Sequence, residues 1–156
     1  MAKKKKIIER AHCPICGADL CTGTGIYFQL VSPNQNNATV HLRPELGDYN
    51  VKLQKYDIIH PGTPLKVRCG RCQTPINDPS TPAHCVLKKV KLMNDPKEYD
   101  ELRFLSKMGE HGTILKNKQG KIVGKWGEQV KLLLPPSRHG KIVTSIHSFF
   151  KNLLGV

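Results

Sequence analysis

The sequence predicts a mainly β chain, α+β overall, and three observations lead there. Apolar residues alternate with polar ones at 39–43, 50–54 and 65–68, and residues 26–31 are a dense run of strand formers. Turn-forming clusters at 32–37 and 61–64 punctuate these segments. A helical period shows in only two places, residues 96–108 and 142–154.

In chain order, residues 25–68 are expected to form four short strands. Their apolar side chains fall on one face, with Arg43, Lys52 and Lys66 turned to water. A helix is expected over residues 96–108. Asp95 stands at its cap, Pro96 at its first position and Glu98 three residues after the cap, and Gly109 closes it. Tyr99, Leu102, Leu105 and Met108 supply its apolar stripe. Next, residues 113–116 and 121–126 flank Asn117-Lys118-Gln119-Gly120, the signature of a hairpin. Residues 130–134 read as a third strand stopped by Pro135-Pro136, and residues 142–156 as a C-terminal amphipathic helix.

Length and charge bound the function. A chain of 156 residues, 38% hydrophobic, can bury one core or two very small ones. Three regions are expected: a flexible basic arm at 1–10, a metal-binding β-rich domain at 11–90, and residues 91–156 holding the helix, the basic β element and the C-terminal helix. The formal net charge of +13 is unevenly spread, at +4 in residues 1–10, +2 in 11–110 and +7 in 111–156. Cationic ends call for an anionic partner, RNA or a ribonucleoprotein first and an acidic protein surface second. The N-terminus has no apolar stretch of signal-peptide type and no segment has the length of a membrane span, so a cytoplasmic location with no integral membrane segment is expected.

Six cysteines in a reducing compartment point to metal before disulfides. Cys13, Cys16, Cys69 and Cys72 make two CxxC pairs separated by 52 residues. Each pair can turn tightly enough for both thiolates to reach one ion, so together they supply a tetrahedral four-cysteine site. Cys13-Pro14-Ile15-Cys16-Gly17 resembles the first knuckle of the zinc-ribbon and rubredoxin-like group. The second knuckle, Cys69-Gly70-Arg71-Cys72, departs from that pattern because Gln73 stands where the group carries glycine. Residues 13–72 are similar to small uncharacterised prokaryotic proteins with a β-rich insert between two such knuckles. The resemblance implies a four-cysteine zinc ribbon carrying the four-strand insert. Zinc is the preferred cofactor, with iron second because a rubredoxin-like site uses the same four thiolates.

Cys21 and Cys85 fall outside this set and read as packed thiols, although His84-Cys85 could also join Cys69 and Cys72 in an alternative ligand set. The chain carries no HExxH, GxSxG or P-loop motif, and no paired-carboxylate arrangement. A non-enzymatic, zinc-stabilised module that docks on RNA or a ribonucleoprotein is therefore expected. Its alternatives are an adaptor subunit that grips an acidic protein and, third, a rubredoxin-like iron electron carrier. The binding surface is expected on the hairpin and just beyond it, at Lys116, Lys118, Lys121, Lys125, Trp126, Lys131 and Arg138, with the C-terminal helix available for docking.

Overall fold

A computed structural model describes residues 5–22, 25–31, 37–54, 62, 64–107 and 109–135. Among these described residues are eleven strands: β1 (Ile8–His12), β2 (Cys21–Thr22), β3 (Gly25–Val31), β4 (Asn37–Leu42), β5 (Val51–Gln54), β6 (Lys66–Arg68), β7 (Asn77–Asp78), β8 (Thr81–Leu92), β9 (Glu98–Leu105), β10 (Thr113–Lys116) and β11 (Ile122–Trp126). They form two antiparallel sheets. One runs β1-β8-β9-β10-β11 with β7 added beside β8, and the other runs β2-β3-β4-β5 with β6 added beside β3.

The two sheets share one core. Alternation on β3 buries Ile26, Phe28 and Leu30 and leaves Tyr27, Gln29 and Val31 half-buried on the opposite face. Val40 and Val67 extend the buried face onto β4 and β6. Across from them stand Leu87, Leu102 and Leu115, which lie in one register row of the six-stranded sheet. Phe28 meets Phe104 between the sheets, with ring centroids 5.8 Å apart. Each strand expected within residues 25–68 is present, as is the hairpin around residues 117–120, where Gly120 takes the left-handed backbone (φ 81°) that its turn needs.

The α+β class is corrected: among the described residues the only helical element is a 3-10 turn at Val130–Leu133. That turn also replaces the strand expected at 130–134. The helix expected over 96–108 is strand β9, and the apolar stripe behind that expectation has a different cause. Leu102 points into the shared core, whereas Leu105, three residues on and on the other face, packs with Ile114 and Leu133 in a second cluster. A strand buried on both faces imitates a three-residue helical spacing. Asp95 does not cap a helix. Its carboxylate accepts the Lys97 amide at 2.9 Å and the Tyr99 hydroxyl at 2.6 Å, closing a turn into β9. The C-terminal amphipathic helix expected at 142–156 lies outside the described residues.

β8 escapes a reading by period because its buried positions change parity. The shared core takes Cys85 and Leu87 at odd positions and Val90 and Leu92 at even ones, and Val86 between the first two is buried as well. The change falls at Lys89, whose φ is 50° and beside which the register with β1 shifts. The boundary expected at 90/91 falls within β8, and residues 8–10 of the expected basic arm belong to β1. Among the described residues no helix is long and apolar enough to cross a membrane.

Because both sheets bury one core, truncating Phe28, 2% exposed, to alanine should cost about 3–5 kcal/mol in chemical denaturation. Val123→Ala on the outer strand, where the side chain is 45% exposed, should change stability by less than about 0.5 kcal/mol.

Candidate metal centre

Both knuckles sit where the chain passes from one sheet to the other. The first, between β1 and β2, leaves the six-stranded sheet for the five-stranded one; the second, between β6 and β7, makes the return crossing. Their backbones match position for position. Gly17 N–H donates to the Cys13 carbonyl at 3.0 Å, and Gln73 N–H to the Cys69 carbonyl at 2.9 Å. Cys13 and Cys69 donate to Ala18 and Thr74, and Leu20 and Ile76 to Ala11 and Val67. In each pair the two members lie 56 positions apart in the chain. Gly17 has φ 76° and Gln73 φ 62°, so the residue that breaks the glycine pattern still takes the left-handed backbone. Its side-chain amide donates to the Gly70 carbonyl at 2.8 Å, closing its own knuckle.

The two turns bring four sulfurs together, all within 4.8 Å of one another. Cys13 Sγ lies 3.8 Å from Cys72 Sγ, and Cys16 Sγ lies 3.8 Å from Cys69 Sγ. A tetrahedral ion with metal–sulfur bonds of about 2.3 Å requires sulfurs about 3.8 Å apart, so this donor set fits a thiolate-bound ion. Backbone amides already point at the inner sulfurs: Ile15 N–H at Cys13 Sγ and Arg71 N–H at Cys69 Sγ, each at 3.3 Å. Such donors favour thiolate over thiol. Cys13 and Cys69 are buried, Cys72 is partly so and Cys16 is exposed. Burial pushes the Cys13 thiol up to about 12, while the Thr74 hydroxyl and amide draw the Cys72 thiol down to about 6. A cation taken up by the set displaces whatever protons remain.

The other candidate ligands are engaged elsewhere. The His84 ring accepts from Arg103 Nη1 at 3.1 Å and donates from Nε2 to the Leu132 carbonyl at 3.1 Å. Cys85 is fully buried, and burial pushes its thiol up to about 12. Burial does the same to Cys21, with Asp19 adding to it. His12 Nδ1 donates to the Lys89 carbonyl at 2.8 Å, tying the first knuckle to β8.

The residues expected to form the binding surface divide into groups. Lys116 reaches Glu101 at 3.5 Å and Lys118 reaches Glu98 at 3.9 Å. Lys121, Lys125 and Lys131 are exposed. Trp126 is half-buried against the shared core, its ring lying over Gly124 and against Gly47, where any β-carbon would crowd it. Arg138 lies outside the described residues. Reading charge by sequence segment misses the two glutamates, which belong to β9 and meet the hairpin only through strand pairing. Glu101 is buried, accepts from Lys88 and Arg103 and forms an ion pair with Lys116; against the opposing effect of burial these cations hold its carboxyl below the usual range. Compared with family models, curated proteins and solved structures, the chain matches none.

Purified without added metal, the protein should carry about one equivalent of zinc plus iron by elemental analysis, the capacity of one four-thiolate set. Cys69→Ser should lose most of it and melt about 10 °C lower or more, while Cys85→Ala should keep its metal. At the second knuckle, Gln73→Gly should leave the melting temperature unchanged or raise stability by up to about 1 kcal/mol, whereas the β-branched Gln73→Val should cost about 1–2 kcal/mol.

Proposed function

We propose that this chain is a non-enzymatic, zinc-stabilised binding module that docks on RNA or a ribonucleoprotein through its basic surface. The observation that carries the reading is the closed four-thiol set. With every position of a tetrahedral ion taken by sulfur, none is open to activate water or polarise a substrate, so the ion acts as a structural clamp. Zinc is the ion best suited to that task, having no redox chemistry and no preferred geometry beyond what the ligands impose.

The partner follows from charge. A net +13 over 156 residues, concentrated toward the ends, favours a polyanion, and phosphates released from their counterions supply the binding free energy. The exposure of Lys121, Lys125 and Lys131 supports this reading. Lys116 and Lys118 contribute less, since Glu101 and Glu98 already face them.

Fluorescence anisotropy with a labelled single-stranded RNA tests this on the metal-loaded protein. Affinity should fall steeply between about 50 and 200 mM salt, and Lys121→Glu with Lys125→Glu should reduce the log–log salt slope by about 2. An unchanged slope would remove the hairpin from the surface, and no binding at the lowest salt would remove RNA as the partner.

A further inference from the structure

We propose that the outward face of the five-stranded sheet is a binding platform for single-stranded RNA, with Tyr27 and His41 as its stacking pair. The inference rests on the RNA reading above and gives it a second, separate surface. Three observations carry it.

The first is a ring stack where the strand pattern leaves side chains facing away from the core. Tyr27 and His41 are register partners on β3 and β4, with ring centroids 4.3 Å apart and planes 5° from parallel. Both are half-buried while their neighbours Phe28 and Val40 are buried, so the stack lies on the face opposite the core. His41 also rests on Gly25, where a β-carbon would overlap the imidazole, so the absence of a side chain at Gly25 makes the seat for that ring.

The second is what else shares the face. Gln29 and Val31 follow Tyr27 outward along β3; Thr39 stands beside Gln29 and Lys66 beside Val31 in register. Lys52 occupies the register position next to His41 on β5. Rings, amide, hydroxyl and ammonium groups laid across neighbouring strands are the groups that unstacked bases and their phosphates use.

The third is electrostatic. The strands of the five-stranded sheet contain Lys52, Lys66 and Arg68 and no aspartate or glutamate. The strands of the six-stranded sheet contain Glu9, Asp78, Glu98, Asp100 and Glu101 beside seven basic residues, of which Lys88, Arg103 and Lys116 are paired with members of that set. The acidic groups of this fold's strands are thus gathered on one sheet and excluded from the other, and the excluded face is complementary to a polyanion.

The test uses the full metal-loaded chain and a fluorescein-labelled single-stranded uridine-rich RNA. Tyr27→Ala with His41→Ala should weaken binding by about 5- to 150-fold, the range that base stacking on aromatic residues supplies, and Tyr27→Phe should stay within about twofold of wild type. Lys66→Glu should weaken binding to unrelated RNA sequences alike. Photocrosslinking of wild-type protein to 4-thiouridine RNA, mapped by mass spectrometry, needs no variant to fold and should label peptides from β3 and β4. Binding lost in Lys121→Glu with Lys125→Glu but intact in Tyr27→Ala with His41→Ala would overturn the platform alone. Crosslinks confined to residues 113–131 would do the same, whereas polyglutamate competing as well as RNA would overturn both readings in favour of an acidic protein partner. No RNA binding by the wild type would overturn both readings.

Discussion

The convergence of four sulfurs at the crossing between two sheets is the constraint on which the rest of this fold depends. Each knuckle carries the chain from one sheet to the other, so a single ion held by both would tie β1, β2, β6 and β7 together at one end of the core. The 52 residues between the knuckles include all of β3, β4 and β5 and would become a closed loop, which lowers the entropy of the unfolded chain. Two of the strands so anchored, β2 and β7, are only two residues long and gain little from their own ladders.

The knuckles are symmetric in backbone and not in sequence. Residues 11–20 and 67–76 share only their cysteines, yet each makes the same hydrogen bonds, including the same left-handed residue after its second cysteine. Geometry at the sulfurs demands that turn, and glycine is simply the residue that adopts it at least cost. Gln73 adopts it too, with its side chain bonded back to Gly70, so the missing glycine changes the energy of the knuckle without changing its shape.

Charge is sorted between the sheets in a way that net charge conceals. The six-stranded sheet carries a dense network in which Glu101 faces Lys88, Arg103 and Lys116, and Asp78 faces Arg103 at 2.7 Å. Partial burial of these groups makes their pairing necessary, because a lone buried charge would be costly. That network consumes much of the acidity of residues 77–101 internally.

How much of this is legible in the sequence follows from how each feature encodes itself. Strands with one buried face announce a period of two, which is why those within residues 25–68 and the hairpin at Asn117–Gly120 can be read directly. The CxxC pairs name the candidate ligands, since no other spacing in the chain offers four thiols in two tight turns. β9 and β8 are not legible, for different reasons: Leu102 and Leu105 are buried on two different faces, and the buried positions of β8 switch parity at Lys89. Periodicity reports burial only where a single face is covered, and which faces are covered depends on what packs there. The same holds for charge and for metal. Sequence by itself determined the residue types, the local turns and the total of +13. Only the tertiary structure decided that Glu98 and Glu101 would meet the hairpin lysines, that His84 would turn to Leu132 and that the paired sulfurs would stand 3.8 Å apart, because each of these contacts joins residues the chain keeps far apart until the sheets assemble.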